Sequence, residues 1–235
     1  MSPYVFKTRV SFADIDADSC LSLKGAMRLM QEAAMIHSDH SGYSVLDVEH
    51  TRVVWMLVQW RVRLVGTARW NEYIEVITWP RSMERLTSVR CFRIVNTAGE
   101  TVAVADSNWL LANADTGRVM RIPKEVADAY DLIDEDVFEE PMPKLAHEAG
   151  EETYTCTVLR RDLDTNNHVN NLVYLDYAAE AIAEQKTFCE ANIRYHLQLL
   201  LGDEVHCHYE NTPEGHLVQI TGEDPKHLHC TVLLS

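Results

Sequence analysis

The chain of 235 residues repeats its own plan at an offset of 148 residues, which makes each half a folding unit of similar shape. Phe12-Ala13-Asp14-Ile15-Asp16-Ala17-Asp18-Ser19-Cys20-Leu21 lies over Arg160-Arg161-Asp162-Leu163-Asp164-Thr165-Asn166-Asn167-His168-Val169. Glu32 falls on Glu180 at the same offset. Both copies read Asp-aliphatic-Asp, then a polar bend, then a stretch with helical spacing.

Hydrophobic periodicity extends the repeat beyond those residues. Tyr4 to Val10 alternates as a strand, and Ser22 is placed to cap a helix. Leu23, Ala26, Met27, Met30, Ala33, Ala34 and His37 then recur at helical spacing, with Gly42 as the stop. Strand-like runs follow at 53–65, 73–80, 87–95 and 101–112, with Asn96-Thr97-Ala98-Gly99 as a hairpin turn. The second half runs in the same order. A strand covers 153–159, and a helix capped by Asn170 or Asn171 carries Tyr174, Tyr177, Ala178, Ala181 and Ile182 on one face. Strands are then expected at 191–200, 204–210, 216–221 and 228–233. One strand, one long helix and several antiparallel strands make a helix wrapped by a curved sheet, an α+β plan used twice.

Charge divides the chain differently. The net charge is −15, so binding to nucleic acid through overall charge is excluded. Residues 1–124 hold 15 Lys and Arg against 13 Asp and Glu, whereas residues 125–235 hold 6 against 23. Eleven acids fall between Glu125 and Glu152, beside Pro141 and Pro143, with Lys144 as the lone base. This stretch reads as a solvated connector with a short helix near 126–130. The expected division is therefore 1–124, a linker 125–152, and 153–235. Arg61 and Arg63 share one strand face, which is either ordinary solvated surface or a docking site for an acidic partner. Residues 1–12 lack the apolar core of a signal peptide, and the apolar run 53–58 is too short to span a bilayer. A cytoplasmic protein is expected. The six cysteines form no Cys-x-x-Cys pair and read as reduced thiols.

The chemistry concentrates in Asp164-Thr165-Asn166-Asn167-His168-Val169-Asn170-Asn171. In an extended segment Asp164, Asn166 and His168 would share one face. The segment ends where a helix begins, so backbone N–H groups near Val169, Asn170 and Asn171 are candidates to hold a carbonyl and its developing oxyanion. A carboxylate, an amide, an imidazole and a helix start can together activate water against an acyl group. The same residue types also build ordinary turns and caps.

Asp-x-Asn-x-His-Val-Asn-Asn followed by Tyr174 resembles the C-terminal motif of the acyl-ACP thioesterases. Further pieces agree in order: Leu29-Met30-Gln31-Glu32-Ala33-Ala34 with Gly42, Trp55-Met56-Leu57, Trp70-Asn71-Glu72 through Thr78-Trp79-Pro80, Gly99-Glu100 through Ser107-Asn108-Trp109, and Arg118 to Pro123. The resemblance covers about residues 4–210 and implies a double hotdog fold. It also implies hydrolysis of fatty acyl thioesters on acyl carrier protein, with Asp164, Asn166 and His168 as catalytic residues and no cofactor. The family's Tyr-x-x-Glu is here Tyr195-His196-Leu197-Gln198, so Gln198 stands where the family has a carboxylate. A glutamine can orient water but cannot take its proton at neutral pH, so Asp164 and His168 are expected to share the proton transfers.

The first half has Asp18 and Cys20 at the Asn166 and His168 positions, so one active site per chain is expected. The N-terminal half would then build the acyl pocket, with Met27, Met30, Ala33 and Met35 as candidates, while Trp55 and Trp79 read as packing. Arg160 and Arg161 are either contacts to the pantetheine phosphate or solvated charges. His206-x-His208 and His227-x-His229 would converge only if their strands paired, and they read as exposed strand histidines rather than a metal site. Two rival readings stand: a hotdog acyl-CoA thioesterase and a non-catalytic acyl-binding module. Because two fused hotdogs already mimic a dimer, the chain is expected as a monomer or a homodimer.

Overall fold

A computed structural model describes residues 2–145, 150–184 and 187–235. The chain forms two compact units, Met1–Met142 and Pro143–Ser235.

In the first unit, β1 (Tyr4–Arg9) leads through a 3-10 turn at Phe12–Asp14 into α1 (Leu23–His40). The short α2 (Val48–Thr51) follows, then β2 (Val53–Leu64), β3 (Tyr73–Glu84), β4 (Thr87–Asn96), β5 (Thr101–Asn113) and the one-turn α3 (Lys124–Asp128). The strands pair antiparallel in the order β1-β3-β4-β5-β2. Ser22 caps α1 as expected, its hydroxyl accepting the Gly25 N–H at 3.0 Å. Ala26, Met27, Leu29, Met30 and Ala33 bury one face of α1 in a core that includes Trp60, Val76, Phe92 and Ile94. Gly25 lets the helix approach the preceding turn, since a Cβ there would collide with the Asp14 carbonyl. Asp14 is fully buried in that turn, held bidentately by Arg28 at 2.5 and 2.7 Å and by Ser11 Oγ at 2.5 Å.

The second unit repeats the first strand for strand. β6 (Glu151–Thr157) leads through a 3-10 turn at Arg160–Asp162 to α4 (Val173–Ala181), then β7 (Glu190–Tyr195), β8 (Glu204–Thr212), β9 (Gly215–Thr221) and β10 (Leu228–Leu234). The antiparallel order is β7-β10-β9-β8-β6, which maps onto β2-β5-β4-β3-β1. The expected long second helix is short: α4 has 9 residues against 18 in α1. It starts beyond both asparagines. Asn170 still closes the entrance, its Oδ1 accepting the Leu172 N–H at 2.9 Å. Tyr174, Tyr177, Ala178 and Ala181 are buried as their spacing predicts. β7 is shorter than expected and ends at Tyr195, so Gln198 lies outside the strand.

One charge expectation is refined and one corrected. The acids of the stretch are exposed among the described residues, as a solvated connector requires, but its apolar residues Val126, Tyr130, Phe138 and Leu145 are buried. Up to Met142 it belongs to the first unit, and its acids pair with that unit's bases: Arg93 with Glu135 at 2.8 Å and Arg81 with Asp136 at 2.8 Å. Residues 146–149, with Glu148, lie outside the described residues. Arg61 is not a docking residue. It is 4% exposed, gripped bidentately by Asp106 at 3.0 and 2.7 Å, and its guanidinium lies 3.7 Å from the centre of the Phe138 ring.

The histidine pairs are separated by topology, since β9 lies between β8 and β10. Nor are all of them exposed: His229 is buried. The six cysteines are free. No helix among the described residues is long and apolar enough to cross a membrane.

Candidate active site

Asp164 to His168 is a tight turn, not the extended segment in which three side chains would share a face. The Asp164 N–H donates to the His168 carbonyl at 2.8 Å, and the Asn167 N–H donates back to the Asp164 carbonyl at 3.1 Å. Asn167 takes a left-handed conformation with φ of 59°. The Asp164 carboxylate organises the turn from within, Oδ1 accepting the N–H groups of Asn166 at 2.8 Å and His168 at 3.3 Å.

The first half supplies an internal control for this geometry. Asp16 Oδ1 accepts the N–H groups of Asp18 at 2.9 Å and Cys20 at 3.0 Å. The Asp16 N–H donates to the Cys20 carbonyl at 2.8 Å, and Ser19 has φ of 61°. A loop without the histidine therefore adopts the same turn, and the aspartate's hydrogen bonds are structural in both copies. The difference lies in the side chains presented. In the second copy Asn166 is exposed and His168 half-buried, and neither side chain makes a hydrogen bond among the described residues. They are polar groups with no structural employment, held by a turn that another residue shapes.

The helix entrance differs from the expected arrangement of donors. The Val169 N–H is taken by the Leu199 carbonyl at 2.9 Å and the Asn170 N–H by the Asp162 carbonyl at 2.8 Å. The Leu172 N–H goes to Asn170 Oδ1. These groups cannot also hold a substrate oxygen. Asn171 keeps a backbone N–H with no acceptor among the described residues. Val169 is instead a buried apolar anchor.

Gln198 is exposed, in the segment that follows β7. That segment is fastened to the turn from several sides. Leu199 accepts the Val169 N–H, Leu200 bridges to His168, and the Leu199 N–H donates to the Tyr174 hydroxyl at 3.1 Å. His229 Nδ1 lies 3.1 Å from the Gln198 carbonyl, and burial holds this imidazole's pKa below the ordinary histidine value. Topology thus brings Gln198 into the segment paired with His168. Arg160 and Arg161 sit in the 3-10 turn before Asp164, both exposed, with Arg161 Nε 3.7 Å from Asp162.

The first unit contains an apolar cavity lined by Ala34, Met35 and Ser38 of α1 and by Trp55, Arg90 and Trp109, among others. Of the four pocket candidates read from the sequence, only Met35 lines it. Met27, Met30 and Ala33 point to the opposite duty, being fully buried core. Trp55 lines the cavity, against the packing reading, whereas Trp79 is buried packing with its indole N–H on the Glu135 carbonyl at 3.1 Å. Sequence reading missed Arg90, Ser38 and Trp109 as cavity residues. The alternation Ser88-Arg90-Phe92-Ile94 along β4, with apolar residues at its end, was the available signal that Arg90 faces inward.

Next to the cavity, His37 is pressed neutral. Burial first, then the Arg90 charge and His40, lower its pKa to about 4 from 6.5. Its faces are covered by Tyr4, stacked at 5.2 Å, and Tyr130, edge-on at 5.4 Å. Because the folded pKa lies below the unfolded one, the unfolded chain binds the proton first as pH falls. The first unit is therefore expected to keep its full stability above about pH 6.5 and to lose part of it between about 6.5 and about 4. Urea unfolding across that range checks this, and His37→Gln should flatten the dependence there.

Two units with the same strand order, each a helix on an antiparallel sheet, define a double hotdog protein in which the turn bearing Asn166 and His168 belongs to the second repeat. The family model for the acyl-ACP thioesterase N-terminal domain matches residues 3–130, and that for the C-terminal domain matches residues 146–231. The chain belongs to the acyl-ACP thioesterase family. It is 25% identical over 200 residues to oleoyl-acyl carrier protein thioesterase 2, chloroplastic, of Arabidopsis thaliana, covering 77% of this chain and 54% of that one. It is 28% identical over 187 residues to the palmitoyl-acyl carrier protein thioesterase, chloroplastic, of the same plant, covering 72% and 44%. The chain thus spans about half the length of the curated relatives it matches.

Solved structures agree on the fold. An acyl-ACP thioesterase from Bacteroides thetaiotaomicron superimposes with a TM-score of 0.87 at 18% identity, covering 98% of this chain and 96% of that one. The 12:0-ACP thioesterase from Umbellularia californica gives 0.84 at 19% identity, covering 99% and 96%.

Proposed function

We propose that the chain hydrolyses the thioester between a fatty acyl group and acyl carrier protein, releasing the free acid. The observation that carries this reading is the Asp164–His168 turn. Its aspartate holds the backbone while Asn166 and His168 present side chains without a hydrogen bond among the described residues, and the Asn171 N–H three residues on is likewise unengaged among them. Family membership supports the acyl-ACP substrate.

In this mechanism His168 takes the proton of the attacking water and returns it to the leaving thiolate. Asn166 positions the reacting group, and the Asn171 N–H faces the developing oxyanion. Asp164 keeps both side chains in place through the turn, and Gln198 orients water without accepting its proton. The pantetheine thiol has an ordinary pKa near about 8.5, so its expulsion needs little acid assistance.

Gln198 favours one second reading, an acyl-binding module without turnover, because the amide replaces the family's carboxylate. Release of free thiol from acyl-ACP and from acyl-CoA separates the alternatives. Steady turnover of acyl-ACP well above acyl-CoA is expected. Tight binding with no thiol released from either would establish the module instead.

A further inference from the structure

The cavity of the first unit is apolar but carries a buried cation that no carboxylate among the described residues neutralises and a buried N–H without an acceptor among them. Arg90 is 6% exposed, and its guanidinium reaches only neutral partners: Thr78 Oγ1 at 3.2 Å, His37 Nδ1 at 3.0 Å, and the Tyr130 ring at 5.8 Å. Among the described residues no carboxylate pairs with it. The same unit shows how this fold otherwise treats a buried arginine, since Arg61 is neutralised bidentately by Asp106. A second donor at the cavity lacks even a neutral acceptor. The Trp55 indole N–H is buried without an acceptor.

A buried cation without a counter-charge and a buried N–H without an acceptor are each unfavourable. A plain alkyl chain in the cavity would satisfy neither. An oxygen acceptor would satisfy either donor, and a carboxylate at Arg90 would also supply the missing charge. Met35 and Val45, both lining the cavity, are about 40% exposed and leave an apolar rim through which a chain can enter.

We propose that this cavity receives an acyl chain bearing an acceptor oxygen away from its thioester end, with Arg90 and Trp55 as the residues that select it. The inference rests on the acyl-thioester reading for its substrate class, but its test does not depend on turnover. Trp55 and Trp109 line the cavity, so their fluorescence reports occupancy. The probes are methyl esters, which mask the carboxyl end that stands for the thioester. A long-chain dicarboxylic acid monomethyl ester, the ω-hydroxy and oxo methyl esters, and the unsubstituted fatty acid methyl ester of equal length are titrated in turn.

The full chain is expected to bind at least one oxygenated ester about tenfold or more tightly than the unsubstituted one. The tightest of them identifies the oxygen as charged or neutral. Arg90→Met, which keeps an apolar side chain of similar length, should abolish the preference. Trp55→Phe, which removes the N–H and leaves a ring, should reduce it. Equal affinity for the unsubstituted ester, or a preference that survives Arg90→Met in a folded variant, would overturn the proposal. Failure of the hydrolysis reading would appear instead as absent thiol release with these binding results intact.

Discussion

His168→Ala is expected to lower turnover of acyl-ACP by about 10²–10⁴-fold, the usual worth of a positioned acid-base group. It should leave stability within about 0.5 kcal/mol of the parent, because the imidazole makes no hydrogen bond among the described residues that the fold would lose. Paired measurements of thiol release and thermal unfolding check both halves of the statement. Substitutions at Asp164 should behave differently. Asp164→Ala removes the acceptor for two backbone N–H groups and loosens the turn, whereas Asp164→Asn keeps an oxygen for them. Activity should fall further in Asp164→Ala than in Asp164→Asn, and stability should fall only in the alanine variant. Wild-type turnover by His168→Ala would remove the imidazole from the mechanism.

The largest expected effect on stability lies in the other repeat. Arg28→Met should cost about 3 kcal/mol by urea unfolding at neutral pH, because it leaves the Asp14 carboxylate buried without its cation. The value sits at the low end for buried pairs because Arg28 is 40% exposed in its side chain. Burial tends to raise the Asp14 pKa, but the hydrogen bonds from Arg28 and Ser11 outweigh it and leave the pKa lowered. The stability from this pair is thus present above the ordinary value of 3.8 and is lost as pH falls below it. The window lies under that of His37, so the two contributions separate on one pH series. Asp14→Asn combined with Arg28→Met should recover part of the loss, since no unpaired charge then remains in the turn.

The internal repeat changes how the Asp164–His168 motif is understood. From the sequence, Asp164, Asn166 and His168 form one triad with equal claims. The first copy shows that the aspartate makes its hydrogen bonds whether or not a histidine follows. The three are therefore not equivalent in the structure: Asp164 forms the turn, and the Asn166 and His168 side chains make no hydrogen bond among the described residues. In the proposed mechanism the departure at Gln198 leaves the proton transfers to His168.

Local pattern determined much of this protein by itself. Helical spacing from Leu23 to His37, the ten strand-like runs and the Asp-aliphatic-Asp bend specified two α+β repeats of one topology, because periodicity and capping act within a few residues. Tertiary structure alone decided where the charges went. Arg61 and Asp106 are 45 residues apart in the chain and meet only through the β2–β5 register, so a reading along the sequence took the arginine for surface. Burial on the inward face of β4 likewise turned Arg90 from one basic residue among many into an unpaired cation at a cavity wall. The partners of a charge are fixed by strand register over long separations, and no local window contains that information.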